Sequence, residues 1–417
     1  MNKQVTIIGA GVVGVCTALY LQRDGHEVTL VDPLPPARGC SFGNGGLIQA
    51  AACVPIATPS VLRAVPRMLL DADQPLVIRW RHLLRLMPYL IRFIAAARPS
   101  RVEDISKALA RLLSIALLSY RPLIAEAGAG ALVRPTGELH IYETEKTFEA
   151  ARAAHELRRR RGMRVEVLGS DDLHRLEPAL SPVFERGVFL PEPEQTLDPY
   201  DFTAQLAAHF VRNGGLVLQE KVEHIVIGND GPAEIVTNAA RRPVEELVIA
   251  AGAWSGRFAA LLGSPVPLDT ERGYHLMLPE PGIKLKVPLI SGDYRFALIQ
   301  MTRGIRLAGT AELAKLDAPP NYERAERLLK LAQRVLPGLR GEGGTPWMGH
   351  RPSTPDSLPV ICRSPHHRRA YFAFGHGHLG LTFAAATGRV IADLMAGRNP
   401  PVDIDALHVS RYKRYSE

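Results

Sequence analysis

The sequence predicts an α/β fold in which two or three domains are interleaved along the chain. With 417 residues, the chain is longer than a single compact core normally allows. It opens with a strand, a helix and a second strand in close succession, and glycine-containing turns between a strand and a helix return near residues 252 and 375. Glycine-containing turns between a strand and a helix are typical of a dinucleotide-binding domain. We therefore expect the distant segments that carry these turns to form one domain.

The first unit is predicted from apolar runs at residues 5–8 and 28–31 on either side of a helix at residues 12–23. Its glycines permit a tight turn, close approach of a pyrophosphate and close helix packing, while the helix N-terminus supplies amide donors. Asp32, followed by Pro33, ends the second strand and is placed to bind a ribose hydroxyl. This pattern predicts a dinucleotide site and favours FAD or NAD over NADP. The residues of the turn are Gly9, Ala10, Gly11, Val12, Val13 and Gly14.

Three further stretches bear on the choice between FAD and NAD. Residues 40–46 read CSFGNGG, residues 250–255 read AAGAWS after a strand, and residues 375–380 read GHGHLG before the last helix. Each could be only a flexible turn, but small residues also let a large ligand pass close to the backbone, and together the stretches predict FAD. The further residues expected to bind it are Ser41, Gly43, Asn44, Gly45, Gly46, Val222, Ala251, Gly252, Trp254, Gly375, Gly377, His378, Leu379, Gly380 and Thr382.

Residues 59–127 are predicted to be helical and rich in leucine and arginine. One part has apolar residues at helical spacing with arginines between them, and Pro88 is expected to start or kink a helix there. Two interpretations stay open: a helix that faces the core, or a basic amphipathic surface that rests on a membrane. The apolar residues are Leu83, Leu86, Met87, Leu90 and Ile94, and the arginines are Arg81, Arg85 and Arg92. Further elements are predicted at residues 137–143, 145–161, 164–168, 199–213, 247–250, 252–262, 274–278, 296–301, 305–308, 322–335, 370–374 and 379–395.

Composition narrows the classes of function. The formal charge of +8 comes from arginines spread along the chain, which suits an anionic substrate, an anionic cofactor or an acidic membrane surface. Nucleic acid is not expected as a partner, because no basic tail or stacking motif accompanies the charge. The four cysteines form no CxxC pair, so neither a disulfide framework nor a metal site is indicated. We expect a cytoplasmic protein, with the inner face of the cell membrane as the alternative location.

Five motifs in order resemble the D-amino-acid oxidase superfamily of FAD oxidoreductases, and within it the bacterial D-amino acid dehydrogenases. The motifs are GAGVVG at Gly9, SFGNGG at Ser41, IAAGAWS at Ile249, RGYHL at Arg272, and a C-terminal signature of WMGHRPSTPDSLPVI at Trp347 and GHGHLGLT at Gly375. The resemblance spans nearly the whole chain. It implies a Rossmann-like FAD-binding domain formed by residues 1–55, 198–265 and 345–417. An α+β substrate domain, residues 56–197 and 266–344, would be built on a mostly antiparallel sheet.

The resemblance also implies roles for individual residues. Arg351 would grip the substrate carboxylate, and a planar guanidinium suits this independently because it can donate two parallel hydrogen bonds. Tyr274 would assist the carboxylate or cap the pocket, and Tyr294 is a second candidate whose alternative is a core aromatic. His378 would lie on the flavin-facing turn, where it faces substrate, stabilises reduced flavin or is structural. The surroundings of Cys40 do not match the family's covalent attachment patterns, so FAD is expected to be non-covalent and Cys40 a buried filler.

The reaction implied is oxidation of a D-amino acid to an imino acid, which hydrolyses to a 2-oxo acid and ammonia, or stays cyclic if the substrate is D-proline or hydroxy-D-proline. Hydride would pass to flavin N5, and little side-chain acid or base chemistry is needed. The dehydrogenases imply a quinone-type acceptor and peripheral membrane contact. Two alternatives stay open: an amino acid, sarcosine or glycine oxidase that uses oxygen, and, in another class, a flavin-binding electron-relay subunit without an amine substrate.

Overall fold

A computed structural model describes residues 2–70, 76–78 and 83–415 of the chain. Within these ranges the longer helices match the predicted ones to within a few residues. The helices are α1 (Val12–Arg23), α2 (Pro59–Leu70), α3 (Leu83–Ala96), α4 (Pro99–Ala127), α5 (Glu145–Arg160), α6 (Ser170–Leu176), α7 (Pro199–Arg212), α8 (Ser255–Leu261), α9 (Glu323–Val335) and α10 (Gly380–Met395). Short 3-10 turns at Gly252–Trp254 and Gly377–Leu379 precede α8 and α10.

The strands of the described ranges form four sheets. They are β1 (Gln4–Ile8), β2 (Glu27–Val31), β3 (Leu47–Ile48), β4 (Leu76–Ile78), β5 (Val133–Arg134), β6 (Glu138–Tyr142), β7 (Glu166–Leu168), β8 (Arg186–Leu190), β9 (Glu194–Thr196), β10 (Leu216–Leu218), β11 (Val222–Gly228), β12 (Gly231–Thr237), β13 (Arg241–Pro243), β14 (Glu246–Ile249), β15 (Asp269–Leu278), β16 (Leu289–Ser291), β17 (Ala297–Met301), β18 (Gly304–Leu313), β19 (Thr345–Ser353), β20 (Val360–Arg363) and β21 (Ala370–Phe374).

The first sheet has six strands in the order β10-β2-β1-β14-β21-β20. Its pairs are parallel except for the last, β20 with β21. Side chains alternate between two buried layers: Ile7 and Val248 pack with α1, α4, α7 and α10, whereas Ile8 and Ile249 pack with α8 and the small sheet β11-β12-β13. A parallel sheet covered on both faces is the doubly wound arrangement that the first motif predicts.

The largest sheet has the order β19-β15-β18-β17-β16-β6-β8-β7, with β4 paired to β18. All its pairs are antiparallel except β16 with β6 and β4 with β18, so the predicted mostly antiparallel sheet is confirmed. One face carries a core with α9 and α6. The other face packs against Leu47 and Ala51, which follow the glycine-rich loop of the cofactor segment. The two large sheets therefore meet around this loop.

β19 is the longest of the elements that sequence periodicity does not predict. Its nine residues pair with β15 from Asp269↔Ser353 to Met277↔Thr345. This strand falls in the segment expected to belong to the cofactor domain, yet its hydrogen bonds join it to the nine-stranded sheet. The division of the chain into two domains stays a prediction.

Helix α3 carries the segment with two open interpretations. Leu86 and Tyr89 are buried, while the opposite side exposes Leu84 (88%), Met87 (41%), Ile91 (61%) and Ile94 (57%). The helix therefore has an apolar inner face that packs in the core and an apolar outer face, and contact of the outer face with a membrane stays a prediction. Arg81 lies outside the described residues, and the structure describes only the backbone of Leu83.

Helix α4 has the length and apolar composition to cross a membrane, the one such helix in the described ranges. More than half of its most apolar part is buried inside the protein. The Tyr120 hydroxyl in this part donates to Leu381 O at 2.5 Å. Such burial is the usual state of a core helix in a folded domain.

Candidate active site

The turn between β1 and α1 leaves no room for side chains. Gly9 has φ +117°, and a Cβ placed on it would lie 2.3 Å from Ala250 O. A Cβ on Gly14 would lie 2.0 Å from Gly9 O. The backbone therefore forms an open cradle at the start of α1, where Gly11 presents its amide at the positive end of the helix dipole. These residues fit the pyrophosphate of a dinucleotide.

Asp32 and Ser41 flank this cradle. Asp32 accepts hydrogen bonds from Ala10 N and Leu34 N, both at 2.9 Å, and burial raises the pKa of its carboxyl above the ordinary value. Ser41 Oγ accepts from Val12 N at 2.9 Å. The acid thus stands at the end of β2 as predicted, and the glycine-rich loop is tied to the first turn of α1.

The other residues predicted around this end are placed as follows. Val13 is half-buried in α1 and Pro33 is exposed beside Asp32. Val222 is buried at the start of β11, where its carbonyl accepts from Arg257 Nη2 at 2.6 Å. Asp32 N donates to Leu218 O at 3.1 Å, so the end of β10 lies beside the acid, four residues before Val222.

The loop of residues 41–46 packs on the nine-stranded sheet. A Cβ on Gly43 would lie 2.1 Å from the Trp347 ring, and one on Gly45 would lie 3.3 Å from Ile299. Gly46 has φ +75°. The Asn44 side chain departs from expectation, because its Oδ1 accepts from Gly46 N at 2.8 Å and so closes the loop's own turn. Asn44 therefore shapes the loop through its side-chain oxygen.

His275 holds the same loop from the sheet, a role that sequence reasoning missed although the residue lies in the RGYHL motif. Burial, followed by the charge of Arg306, lowers the pKa of His275 to about 3. The neutral ring donates from Nδ1 to Gly43 O at 3.1 Å and stacks on Trp347 with ring centroids 5.0 Å apart.

The two later glycine turns reach the same region. Gly375 and Gly377 have φ +81° and +55°, values that favour glycine, and α10 starts at Gly380 behind the buried Leu379. Thr382 in its first turn accepts from Gln49 N at 3.0 Å. Three predicted residues, Ala251, Gly252 and Trp254, lie just before α8, and the Trp254 ring meets the His350 ring of β19 edge-on at 5.5 Å. Distant segments thus converge beside β19, as the predicted FAD site requires.

His378 and Cys40 border the region where these segments converge, which we call the cleft. Both side chains are solvent-accessible, yet protein surrounds them closely enough to change their pKa values. Burial and then the Arg351 charge lower the pKa of His378 to about 4, and burial raises the pKa of Cys40 to about 11 against the influence of Arg351. The prediction of Cys40 as a buried filler is wrong: its thiol donates to His350 O at 2.8 Å at the cleft wall.

Arg351 projects from β19 into this cleft region. Its guanidinium lies over Gly273, since a Cβ there would be 2.3 Å from Arg351 Cζ. Nη1 donates to Thr310 O at 2.9 Å. Thr310 lies where the β15–β18 register shifts and has φ +63°, so a β-bulge aims its carbonyl at the arginine. This neutral contact steers the guanidinium and uses one of its five N–H donors, while the charge of Arg351 also acts on the buried carboxyl of its cross-strand neighbour Glu271, whose pKa it lowers against the effect of burial.

Tyr274 does not support the role expected for it. Successive side chains of a strand point to opposite faces, and Arg351 lies on the Gly273 side of β15. Tyr274 is 1% exposed in the core on the other side. Its hydroxyl donates to Glu312 Oε2 at 2.6 Å and accepts from Asn321 N at 3.1 Å. A role at the carboxylate is therefore contradicted by the pairing of β15 with β19.

Tyr294 is also engaged away from Arg351. Its hydroxyl donates to Glu143 Oε2 at 3.0 Å, and the Arg334 guanidinium lies 5.4 Å from its ring centre. Burial and Glu143 raise its pKa to about 12. The core-aromatic alternative describes this residue better, because the ring packs against the core shared with α9.

Three polar residues at the cleft wall were missed. Glu138 of β6 is 2% exposed and accepts from Gln49 Nε2 at 3.1 Å, and its other oxygen lies 3.0 Å from His140 Nε2. A signal exists in the sequence ELHIY, where Leu139 and Ile141 already fill one face. An acid on the other face of an interior strand indicates a buried charge with partners.

The FAD dependent oxidoreductase family profile, DAO, matches residues 4–394. The chain is 34% identical to a D-amino-acid oxidase of Bradyrhizobium diazoefficiens and 34% identical to a D-amino acid dehydrogenase of Paramagnetospirillum magneticum, in each case over 99% of both chains.

Solved structures give the same fold. Glycine oxidase from Geobacillus kaustophilus superimposes with a TM-score of 0.75 at 20% identity, over 99% of this chain and all of that one. L-proline dehydrogenase from P. horikoshii superimposes with a TM-score of 0.73 at 19% identity, over 99% and 98% of the two chains. The predicted cofactor is thus confirmed as FAD, and the chain belongs to the FAD dependent oxidoreductase family.

Proposed function

We propose that this protein is a dehydrogenase that oxidises the α-carbon of a D-amino acid to the imino acid, which water then converts to a 2-oxo acid and ammonia. The observation that carries the proposal is Arg351, a guanidinium held over Gly273 at a cleft formed by the FAD-binding segments. A cation in such a place is suited to a carboxylate, because two parallel charge-assisted hydrogen bonds fix both position and orientation.

The chain's residues would act mainly by orientation. Arg351 binds the substrate carboxylate, and Thr310 O keeps the guanidinium from swinging along the strand. His378, neutral because its pKa is lowered to about 4, adds no second cation to the cleft. When bound, FAD supplies the hydride acceptor, so the protein needs no strong base.

The D configuration of the substrate is supported by the names of two relatives. The relatives at 34% identity are called a D-amino-acid oxidase and a D-amino acid dehydrogenase, and pocket chemistry varies within one scaffold. D-proline and hydroxy-D-proline rings belong to the same proposal. The electron-relay alternative is disfavoured by Arg351, since a relay has no use for a carboxylate clamp.

The outer face of α3 supports a quinone-type acceptor reached from a membrane. Leu84, Met87, Ile91 and Ile94 expose a continuous apolar stripe, and Arg85 beside them is exposed. A basic amphipathic surface of this kind rests on anionic lipid. On the inner face of α3, Tyr89 donates to Thr354 O at 3.4 Å. Thr354 is three residues after Arg351, so α3 contacts the segment that carries this arginine.

The test is anaerobic reduction of the bound flavin by a panel of D-, L- and N-methyl amino acids. We expect D-amino acids to bleach the wild type, whereas Arg351→Ala keeps its yellow flavin and loses about 100-fold or more in reduction efficiency. Arg351→Lys keeps the positive charge but lacks the two parallel N–H donors of the guanidinium, so it should retain part of the reduction efficiency. Unchanged bleaching of Arg351→Ala would refute the assignment, and failure of the whole panel on the wild type would favour the relay.

The acceptor is tested separately. Reduced enzyme should reoxidise faster with a quinone analogue than with oxygen, and equally fast oxygen turnover would favour an oxidase. Binding to anionic vesicles should fall when Leu84 and Ile91 are both replaced by serine. If this variant binds as well as the wild type, α3 is not the membrane-binding surface.

A further inference from the structure

The amide of Gln49 is held in one orientation at the cleft wall. Its backbone N donates to Thr382 Oγ1 at 3.0 Å, which fixes the residue to the first turn of α10. Its side-chain Nε2 donates to Glu138 Oε2 at 3.1 Å. An ionised carboxylate can only accept hydrogen bonds, so the NH2 group must face Glu138 and the carbonyl oxygen, Oε1, must face away from it.

Glu138 is ionised, and its surroundings keep it so. Its Oε1 lies 3.0 Å from His140 Nε2. The hydrogen bonds and charges of His140, the Gln49 amide and the more distant Arg158 hold the pKa of this carboxyl below its usual value despite burial. Arg158 also donates to Ala51 O at 3.2 Å, which anchors the segment that carries Gln49. Glu138 and its partners therefore fix the orientation of the Gln49 amide.

Gln49 Oε1 is an acceptor without a donor. No group in the described ranges of the chain donates to it, and it is not among their fully buried unpaired atoms, so it reaches open space on a half-buried residue. That space lies beside the turn that carries His378, because Gln49 N is hydrogen-bonded to Thr382, four residues after His378 in the same segment, and the charges of Glu138 and Arg351 both act on the His378 imidazole. A cation for a carboxylate and an acceptor backed by a buried anion thus border the same cleft.

We propose that Gln49 Oε1 accepts a hydrogen bond from the substrate's amino group, and that Glu138 is a positioning residue that orients the Gln49 amide so that its oxygen faces this group. The inference rests on the proposed function, since it presupposes that Arg351 binds the carboxylate of the same ligand. The carboxylates of 2-amino acids, 2-hydroxy acids and plain carboxylic acids would all bind Arg351 equally. The hydrogen bond to Gln49 Oε1 therefore makes the site selective for 2-amino acids.

The experiment uses three ligands of equal shape that cannot lose an α-hydrogen: 2-aminoisobutyrate, 2-hydroxyisobutyrate and pivalate. Their dissociation constants are measured on the FAD-loaded enzyme from perturbation of the flavin absorbance. We expect the wild type to bind the amino ligand most tightly and pivalate most weakly, with about a tenfold or larger ratio between these two, as for one charge-assisted hydrogen bond. This readout does not depend on turnover.

Three variants separate the contributions. In Glu138→Gln the new amide can donate to Gln49 Oε1, so the ratio should fall toward one, and Gln49→Leu should give the same result by removing the acceptor. Arg351→Ala is the matched control, because it should weaken all three ligands by a similar factor and leave the ratio unchanged. If Glu138→Gln loses FAD, Gln49→Leu decides alone.

A ratio that stays at the wild-type value in Gln49→Leu would overturn the proposal, as would a wild type that binds pivalate as tightly as the amino ligand. The proposed function fails in a different way. In that case no amino acid bleaches the wild-type flavin, and Arg351→Ala binds all three ligands as the wild type does.

Discussion

Adding one methyl group beside Arg351 should disable the site without disturbing the fold. The Cβ of Gly273→Ala would lie 2.3 Å from both Cζ and Nη2 of Arg351 and 2.7 Å from Nε. Carbon contacts are comfortable at about 3.5 Å or more, so the guanidinium must move by about 1 Å. It is the free end of a flexible side chain and can do so at little cost in stability. A displacement of about 1 Å at a positioning group lowers reaction efficiency by about 100-fold.

Anaerobic stopped-flow reduction of the flavin measures this effect. We expect the reduction rate constant divided by the dissociation constant of the substrate to fall about 100-fold in Gly273→Ala, with unchanged flavin content and melting temperature. The double variant with Arg351→Ala should be no worse than Arg351→Ala alone, since the methyl group acts only through the arginine. Activity of Gly273→Ala within threefold of wild type, or a further loss in the double variant, would refute the reasoning.

Two other predictions concern the cofactor segments. Gly14→Ala should abolish FAD retention, because its Cβ would lie 2.0 Å from a backbone oxygen, whereas Gly39→Ala, with nothing within 4 Å of its Cβ, should leave the flavin spectrum unchanged; equal flavin content would contradict this. His376 is buried, lies 2.9 Å from Thr387 Oγ1, and has its pKa lowered by burial to about 3. Between the ordinary value of 6.5 and this value only the unfolded state binds the proton, so the free energy of unfolding should fall as pH falls through that window, by about 2 kcal/mol at pH 5 from this residue. Urea titrations of wild type and His376→Gln at pH 7.5 and pH 5 measure it, and identical pH dependence of the two proteins would rule out His376 as the source.

The cofactor end could be predicted from the sequence because its determinants are local. The turn from Gly9 to Gly14 and the acid at Asp32 belong to one strand-helix-strand unit, and spacing along the chain fixes their geometry. The helices at residues 145–160 and 199–212 were predictable for the same reason: periodicity and capping residues operate within a few turns.

The substrate end depends on pairings that no local pattern contains. Whether Tyr274 shares a face with Arg351 is decided by the register of β15 with β19, and a shift of one residue would reverse the answer. The resemblance supplied the motif but not the register. Glu138 and Gln49 meet only because β6 packs against the segment after β3, so neither residue shows its role in its own neighbourhood of the sequence.

The order of strands in the six-stranded sheet has a consequence for synthesis. β1 pairs with β2 on one side, but its other side pairs with Glu246–Ile249, which pairs in turn with Ala370–Phe372. At about 5 to 20 residues per second, the ribosome needs roughly 10 to 50 seconds after finishing the first strand to deliver its second neighbour. During this interval the apolar flank of β1 is open in the nascent chain, where it can pair wrongly or bind a chaperone. FAD cannot be enclosed until nearly the last helix has left the ribosome.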